Sequence, residues 1–317
     1  MTEKNIDCLI VGGGPAGLTA AIYLARFHLR VKVIDAGNSR ATWIPVSHNH
    51  AGFPEGIPGR DLVAKMAEQA TLYGTSIEKN RVTRIDPDPE GGFLAEWGSG
   101  PVHARAVLLA TGVINRRPAM DVALHDEAMA RGLLRYCPIC DGYEVTDKSV
   151  GVIGTDDHGI KDAVFLRGFT PHLTLIAPTG PHKLTDAQRA KAEALGIRIV
   201  NGPCTELEID GDRIVVPTAE GRMAFDSVYP ALGSDVNSDL ARTMGAELAD
   251  PGCIKVDDHQ RTSIPGLYAA GDVVIGLDQI SHAMGEGGVA AVTIRNDLTA
   301  DAPLVREGGK ARIVELA

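Results

Sequence analysis

Cysteine is scarce in this sequence, whose 317 residues contain five, an odd number. Apart from one pair, the cysteines are far apart, which argues against the disulfide framework of a secreted protein. No uninterrupted apolar run approaches the ~20 residues that a membrane-spanning helix needs, so we expect no membrane insertion. The opening residues, MTEKNID, lack the basic stretch and the short apolar core of a secretory signal. We therefore expect a cytoplasmic protein.

Positive charge is also in short supply. The chain has 31 lysines and arginines against 41 aspartates and glutamates, a net charge of -10. An acidic chain repels phosphate backbones, which argues against a nucleic-acid partner. The content of 44% hydrophobic and 23% charged residues is typical of a soluble globular protein. The length exceeds the roughly 100–200 residues of one domain, so we expect two domains.

The one closely spaced cysteine pair is Cys137 and Cys140, in the segment YCPICDG. A structural zinc site needs a second cysteine pair or a Cys/His pair at a compatible distance, and Cys8, Cys204 and Cys253 are each alone. Two thiols separated by two residues can close a small ring, and such a motif can lower the pKa of one thiol. The pattern favours a redox dithiol, and we expect no metal site.

A dinucleotide-binding pattern occupies residues 6–35, IDCLIVGGGPAGLTAAIYLARFHLRVKVID. An apolar strand ends at Val11, a glycine-rich turn and an amphipathic helix follow, and a second strand ends at Asp35. The turn matches GxGxxG, in which backbone N–H groups and a helix N-terminus meet a pyrophosphate. Asp35 lies about 20 residues further on, where an acid binds an adenosine ribose. The candidate residues of the turn are Gly12, Gly14, Pro15, Ala16 and Gly17.

Two later segments end in turns of small residues. VLLATGV (107–113) reads as an apolar strand followed by Ala110, Thr111 and Gly112, and GLYAAGDVV (266–274) as another followed by Gly271 and Asp272. Together with the first motif they resemble the FAD-contact signatures of the flavoprotein disulfide reductases that have two dinucleotide domains. With CPICDG added, the chain resembles the low-molecular-weight thioredoxin reductases.

The resemblance extends over most of the chain. NHAGFPEGI (49–57) resembles the family's asparagine-containing flavin loop, ALGSDVNSDL (231–240) the return to the FAD domain, and LDQISHAMGEGGVAA (277–291) the helix over the isoalloxazine. It implies an α/β fold of two Rossmann-like, three-layer dinucleotide-binding domains, the second inserted in the first. The implied FAD domain spans 1–115 and 236–317, and the NAD(P)-binding-like domain with the CxxC spans 116–235.

The residue pattern of the inserted region agrees with this architecture. SVGVIG reads as a strand, HGIKDAVFLRGF as a helix and HLTLIAP as the next strand. ELEIDGDRIVV then reads as a hairpin around Asp-Gly, and RMAFDSVYPAL as a further strand.

The resemblance also assigns roles to residues. It implies that Cys140 exchanges electrons with the flavin, that Cys137 reacts with an external disulfide, and that Asp141 is the acid/base for the thiol protons. It places Gly271 and Asp272 at the ribityl and phosphate part of FAD. Gln279 and Ile280 would present backbone N–H groups to the pyrimidine side. The implied cofactor-binding residues are those of the three turns together with Asp35, Asn49, Gln279 and Ile280.

The second nucleotide motif departs from the family. NADPH-dependent members carry a second GxGxxG/A, but here GTDDHG has Gly154 and Gly159 with Asp156 in the middle position and Asp157 beside it. Carboxylates at this turn repel a pyrophosphate, whereas they suit a helix N-terminus as caps. The basic cluster for the 2′-phosphate is missing as well: LIAPTGPHK (175–183) offers only a histidine and a lysine at its end.

These departures change the expected electron donor. Asp278 also stands where the family usually has an arginine before the glutamine. We expect an FAD enzyme that passes electrons between the flavin, the CxxC pair and a protein or small-molecule disulfide, without NADPH as its donor. Thioredoxin-like proteins are the expected partners, a ferredoxin-type protein is a possible donor, and the family is homodimeric.

Three other functions stay open. One is a dithiol oxidase that uses oxygen, although such oxidases usually have histidine after the second cysteine; His282 could offer a base instead, but an ordinary helix histidine is the simpler interpretation. Another is an ordinary NADPH thioredoxin reductase with an unusual nucleotide site. The third, a non-catalytic flavoprotein, is disfavoured by the intact CxxCDG.

Overall fold

The computed structural model describes residues 6–98, 100–300, 302–307 and 310–313 of the chain. The strands are β1 (Ile6–Val11), β2 (Val31–Asp35), β3 (Ser76–Lys79), β4 (Arg84–Pro87), β5 (Phe93–Glu96), β6 (Pro101–Leu109), β7 (Val113–Asn115), β8 (Val150–Ile153), β9 (Leu173–Ile176), β10 (Arg198–Val200), β11 (Glu208–Asp210), β12 (Arg213–Thr218), β13 (Gly221–Phe225), β14 (Ser227–Pro230), β15 (Ser234–Val236), β16 (Leu248–Ala249), β17 (Cys253–Ile254), β18 (Leu267–Ala269), β19 (Leu304–Glu307) and β20 (Lys310–Ile313). The α-helices are α1 (Pro15–Arg26), α2 (Gly59–Leu72), α3 (Val122–Ala130), α4 (Pro138–Asp141), α5 (Asp156–Leu166), α6 (Asp186–Ala194), α7 (Asp239–Thr243) and α8 (Ile280–Leu298). Short 3-10 helices occur at Arg40–Trp43 and Gly142–Val145. Within the described ranges, no helix is both long enough and apolar enough to cross a bilayer.

The chain divides into two compact units, each assembled from separate segments. The first unit takes in the described residues of Met1–Thr42, Gly59–Ile114 and Val236–Ala317. The second consists of Trp43–Pro58 and Asn115–Asp235. Segment 43–58, which we placed in the first domain, therefore lies in the second unit.

Aromatic contacts explain the position of segment 43–58. The Trp43 ring meets the His125 ring edge-on, with centroids 5.8 Å apart, and lies 6.1 Å from the Tyr136 ring. The Arg117 guanidinium carbon lies 4.4 Å from the centroid of the Trp43 ring. Aromatic and cation–π contacts of this kind fix the start of the segment on the second unit.

The sheet of the first unit brings three predicted turns to one edge. Its strand order is β3-β2-β1-β6-β5-β4, and β18 also pairs with β6. Strand β6 pairs antiparallel with β5 along its first half and parallel with β18 along its second half. Because β1, β6 and β18 run parallel as neighbours, their carboxyl ends lie together.

Small residues let α1 and α8 pack closely against this sheet. A Cβ added at Gly287 in α8 would overlap the backbone of Ala16 in α1, and one added at Gly271 would lie 2.9 Å from the Ala16 Cβ. Alanines of both helices, including Ala20 and Ala290, are fully buried in the same hydrophobic cluster as the sheet residues. A second buried cluster, with residues of β4, β5 and α7, contains the other strand residues of β1 and β6.

The second unit contains a parallel sheet and an antiparallel one. The parallel sheet has the order β10-β9-β8-β14, and the antiparallel sheet has the order β11-β12-β13. The predicted hairpin is confirmed as β11 and β12, joined by Gly211 and Asp212. Hydrophobic clusters on the strands of both sheets form its core.

The strand predicted over 222–232 is wrong in one respect, because it is two strands in different sheets. β13 pairs antiparallel with β12, whereas β14 pairs parallel with β8. The break is at Asp226, whose Oδ2 accepts a hydrogen bond from the Ser149 N–H (2.8 Å) and whose N–H donates to the Ser149 carbonyl oxygen (2.8 Å). These bonds fix the point at which the chain leaves one sheet and enters the other.

The contact between α1 and α8 makes a stability prediction with an internal control. We expect Gly287→Ala to lower the free energy of unfolding by about 1–3 kcal/mol, because the new Cβ must displace backbone atoms of Ala16. Gly285→Ala on the same helix should raise it by up to ~1 kcal/mol, because nothing lies within 4 Å of the new Cβ and alanine favours a helix. Urea unfolding followed by circular dichroism measures both changes. Equal effects would contradict the proposed close packing.

Candidate functional site

The turn after β1 needs glycine at two positions for reasons of packing. Gly12 has φ +112°, and a Cβ added there would overlap the carbonyl oxygen of Ala110. A Cβ added at Gly17 would overlap the carbonyl oxygen of Gly12. Both glycines let β1, α1 and the end of β6 approach one another at backbone distance.

The middle glycine of the motif is different. Gly14 has φ -82° and ψ -175°, which suit any residue, and a Cβ added there would meet only the Ser39 side chain, with Oγ at 3.2 Å and no backbone atom. Backbone packing therefore does not require glycine here. Pro15 begins α1, where its missing N–H costs nothing, and Ala16 is buried behind it. The open position at Gly14 and the start of a 12-residue helix fit a pyrophosphate.

Asp35 lies beside this turn, as the ribose-binding prediction requires. It is the last residue of β2, and its Oδ1 accepts a hydrogen bond from the Gly13 N–H (3.1 Å). The bond holds the carboxylate at the edge of the turn. The arrangement fits a dinucleotide with an adenosine ribose.

The turn Ala110–Gly112 is held by a residue that the sequence motifs did not identify. The Ala110 N–H donates to the carbonyl oxygen of Val11 (2.8 Å). Thr111 Oγ1 donates to the carbonyl oxygen of Asn237 (2.7 Å), and Asn237 Nδ2 donates to the carbonyl oxygen of Thr111 (2.9 Å). Asn237 lies in the segment 231–240 that resembles the return to the FAD domain, but nothing in that segment indicated a contact with this turn.

Gly271 and Asp272 follow β18 and form a charged cluster. The Gly271 N–H, on a residue with φ +81°, donates to Glu286 Oε2 (2.7 Å). Asp272 Oδ2 lies 3.0 Å from Arg40 Nε, and Asp278 Oδ2 lies 3.5 Å from Arg40 Nη1. Burial raises the pKa of Asp272, and the Arg40 charge opposes that rise. Arg40 thus supplies, from another segment, a guanidinium next to the position where the family usually has one.

The start of α8 distinguishes the two predicted backbone donors. The helix begins at Ile280 with Gln279 as its N-cap, but the Gln279 N–H donates to the carbonyl oxygen of Leu277 (2.6 Å). Of the two predicted donors, the Ile280 N–H is the one in the first helical turn, where N–H groups have no intrahelical acceptor. His282 Nε2 lies 2.9 Å from Glu286 Oε1, so this histidine is paired within its own helix.

The structure brings most of the candidate cofactor residues together. The three turns follow neighbouring parallel strands of the first unit, with Asp35 beside the first turn and Ile280 at the start of the helix packed on α1. These features fit FAD. Asn49 alone among the candidates lies in the second unit, where its Oδ1 accepts a hydrogen bond from Ser47 Oγ (3.1 Å).

The cysteine pair lies in the second unit at the start of a short helix. Cys137 and Cys140 form a disulfide, with Cα atoms 5.2 Å apart. Cys137 is the N-cap residue of α4, and Pro138 is the first helical residue. The Cys140 N–H donates to both the carbonyl oxygen (3.0 Å) and the Sγ (3.1 Å) of Cys137. An N–H aimed at a sulfur stabilises a thiolate after the disulfide opens. Ile139, between the cysteines, is 52% exposed.

Asp141 has a partner for each carboxylate oxygen. Arg135 Nη1 donates to its Oδ2 (3.0 Å), and the Tyr229 hydroxyl donates to its Oδ1 (2.8 Å). Burial raises the pKa of Asp141, and Arg135 and Tyr229 oppose that rise. Neither partner belongs to a recognised motif; Tyr229 reads in sequence only as a strand residue.

The second nucleotide motif keeps the glycines that packing needs. A Cβ added at Gly159 would lie 2.6 Å from the Gly154 carbonyl carbon, and one at Gly154 would lie 2.9 Å from the Gly159 Cα. Asp156 is the first residue of α5, and Thr155, not an aspartate, is the N-cap residue, so the capping interpretation needs correction. The Asp157 carboxylate accepts a hydrogen bond from Gln188 Nε2 (2.6 Å).

The loop after β9 offers no arginine. His182 is 7% exposed, and its Nε2 lies 3.2 Å from the carbonyl oxygen of Leu175. The Lys183 N–H donates to Thr155 Oγ1 (3.3 Å), so the loop lies against the turn between β8 and α5. The buried His182 is therefore not placed for a 2′-phosphate.

Comparison with known proteins gives consistent matches along the chain. Residues 6–287 match the family described as pyridine nucleotide-disulphide oxidoreductase. A thioredoxin reductase of Mycolicibacterium smegmatis is 33% identical over 281 residues, covering 84% of this chain and 88% of that protein. One of Treponema pallidum is 33% identical over 307 residues, covering 91% and 96%. The crystal structure of thioredoxin reductase from Streptococcus pyogenes matches with a TM-score of 0.85 and 26% identity, covering 94% of this chain and 100% of that one.

The open position at Gly14 makes a cofactor prediction. We expect Gly14→Asp to yield apoprotein at ordinary FAD concentrations. A like-charge contact at about 4 Å costs up to ~4 kcal/mol at an effective dielectric of about 20, and each ~1.4 kcal/mol is tenfold in affinity. Gly98→Asp, at an exposed glycine with nothing within 4 Å, is the matched control. Flavin absorbance per protein after desalting measures occupancy, and a yellow Gly14→Asp protein would contradict the assignment of this turn.

Proposed function

We propose a function for this chain from the premise that it belongs to the pyridine nucleotide-disulphide oxidoreductase family. It is a thioredoxin reductase-like flavoenzyme with FAD as its cofactor. In our proposal, electrons pass between FAD and the Cys137–Cys140 pair, and from the pair to a thioredoxin-like protein or a small disulfide. The disulfide at the start of α4, with an acid directly after it, is the observation that carries this proposal.

Each group has a distinct task in this proposal. When bound, FAD would supply two-electron redox chemistry for the disulfide. The turn of Gly12–Gly17 and Asp35 would hold its adenosine diphosphate part, and the Gly271–Asp272 turn would hold its ribityl part. Cys137 exchanges with the external disulfide, Cys140 exchanges electrons with the flavin, and Asp141 accepts and returns the thiol proton.

We further propose that the electrons do not come from NADPH or NADH. In the first unit, packing does not require the middle glycine, Gly14. We therefore attribute the glycine at this position to the binding of the FAD pyrophosphate. In the second unit the packing glycines Gly154 and Gly159 remain, while residue 156 is an aspartate. A unit that keeps its fold but no longer binds a nucleotide is expected to show this pattern. The proposal therefore departs from the family description, which names a pyridine nucleotide. A low-potential protein such as a ferredoxin is the proposed donor.

The proposed assembly and location follow the family. We propose a homodimer, which the exposed apolar side chains of Tyr23, Val289 and Val292 on α1 and α8 support. We also propose that the enzyme works in the cytoplasm, where thiols are kept reduced.

The dithiol assignment predicts the electron capacity of the protein. In an anaerobic dithionite titration, the FAD-loaded enzyme should take up one electron pair more per flavin than either Cys137→Ser or Cys140→Ser, because each variant lacks the disulfide. Cys204→Ser is the matched control, since Cys204 is a free cysteine, and it should titrate like the parent protein. Equal uptake by all four proteins would mean that the pair does not exchange electrons with FAD.

The donor assignment predicts which reductants bleach the flavin. We expect NADPH and NADH, even in large excess, to reduce it negligibly in anaerobic stopped-flow experiments, whereas a reduced ferredoxin should reduce it rapidly. Asp156→Gly should not restore NADPH use, because the arginines for the 2′-phosphate are still absent. Dithionite is the control for a reducible flavin. Rapid, saturable reduction by NADPH would overturn this proposal, and rapid reduction by a dithiol followed by reoxidation with oxygen would favour a dithiol oxidase.

A further inference from the structure

Asp141 lies in a network of side chains that no motif predicts. The Arg135 guanidinium is fixed at two points, because its Nε donates to the carbonyl oxygen of Gly132 (3.1 Å) and its Nη1 donates to Asp141 Oδ2 (3.0 Å). Tyr229 is 1% exposed, and its hydroxyl lies 2.8 Å from Asp141 Oδ1. Its position in β14 between buried strand residues leaves the hydroxyl little freedom to move. The carboxylate is therefore oriented by two groups from different parts of the second unit.

A second carboxylate opposes the arginine. Glu144 follows Asp141 by three residues, in the 3-10 helix directly after α4. Among the described residues, its buried Oε2 has no hydrogen-bond partner. The negative charge of Glu144 raises the pKa of Asp141, whereas the positive charge of Arg135 lowers it. Two charges of opposite sign thus act on Asp141, and its burial disfavours the charged carboxylate.

We propose that Arg135 and Glu144 are an opposed pair of positioning residues that, with Tyr229, tune Asp141 as the proton carrier of the Cys137–Cys140 dithiol. Burial raises the pKa of Asp141 and so disfavours the carboxylate form that must accept a proton. Arg135 lowers the pKa of Asp141 and so favours the carboxylate that accepts a proton, whereas Glu144 raises that pKa and so favours the acid that returns it. Such a balance suits a group that must both accept and donate in one cycle.

The exchange step needs only the reduced Cys137–Cys140 pair, Asp141 and the external disulfide. In the reduced enzyme, a thiol of the pair gives its proton to the Asp141 carboxylate. The resulting thiolate attacks one sulfur of the external disulfide, a new S–S bond forms, and the external S–S bond breaks. The leaving thiolate takes the proton back from Asp141. The remaining thiol of the pair then gives its own proton to Asp141, and its thiolate attacks the pair's sulfur in the mixed disulfide. The Cys137–Cys140 bond forms again, the mixed S–S bond breaks, and the second external thiolate leaves with the proton from Asp141.

This inference rests on the proposed role of Asp141. Two variants test it, one that removes a positive charge near Asp141 and one that removes a negative charge. The FAD-loaded, reduced enzyme is mixed with 4,4′-dithiodipyridine in an anaerobic stopped-flow instrument, and the exchange rate is recorded against pH. The background carries Cys204→Ser and Cys253→Ser, so that the partly exposed free cysteines do not contribute. The exchange rate should fall at low pH, as Asp141 becomes protonated. We call this falling part of the pH–rate profile the acid limb.

The two charge variants should move this acid limb in opposite directions. Arg135→Met removes the positive charge, so the limb should move to higher pH by about one unit or more. Glu144→Gln removes the negative charge, so the limb should move to lower pH. Arg135→Lys keeps the positive charge, so its limb should lie closer to that of the parent protein than the limb of Arg135→Met. Tyr229→Phe should move the limb to higher pH, because a hydrogen-bond donor to the carboxylate is lost.

An Asp141→Asn background separates this inference from a structural role. There the limb should be absent, and adding Arg135→Met or Glu144→Gln should change nothing further. Shifts that persist in that background, or that have the same sign for both charges, would overturn the inference while leaving the dithiol function intact. Failure of the reduced parent protein to exchange with the disulfide at all would instead overturn the proposed function. Flavin content and the thermal midpoint of each variant show that it is folded.

Discussion

The close approach of a helix to the turn before it is the constraint on which both units depend. In the first unit Gly17 lies over the carbonyl oxygen of Gly12, and in the second Gly159 lies against the backbone of Gly154. Any side chain at these positions would separate strand from helix, so both glycine pairs are demanded by packing. The middle position has no such demand, and there the two units differ. The packing of strand against helix in a Rossmann-like unit thus depends on the two outer glycines of the motif and not on the middle position.

Patterns that are local in sequence gave correct predictions. The glycine turn after β1, the helix α1 and the end of β2 at Asp35 follow from hydrophobic periodicity and glycine spacing over one short segment. The two strands taken as one over 222–232 show the limit of this approach. A run of alternating apolar residues does not reveal that Asp226 binds Ser149 and sends the chain into another sheet.

Interactions between distant segments could not be predicted in this way. Arg40 reaches Asp272 and Asp278 from a 3-10 helix that carries no motif, and Tyr229 reaches Asp141 from a buried strand. Asp272 and Asp141, which are largely shielded from solvent, are each contacted by a donor far away in the chain. Burial raises the pKa of Asp141 and of Asp272, and the arginine beside each opposes that rise. The chemistry of these acids is thus a property of the folded units and not of their motifs.

The split composition of the first unit has a consequence for the order in which the chain folds during synthesis. Strand β18, from residues 267–269, completes the pairing of β6, and α8 completes the packing of α1. The ribosome releases all segments of the second unit before either element exists. The second unit is therefore expected to fold first. Until β18 is released, the carboxyl half of β6 has an unpaired edge on the side that β18 later occupies. Such an edge invites non-native pairing, so the nascent chain should depend on chaperones most strongly between release of the second unit and release of α8.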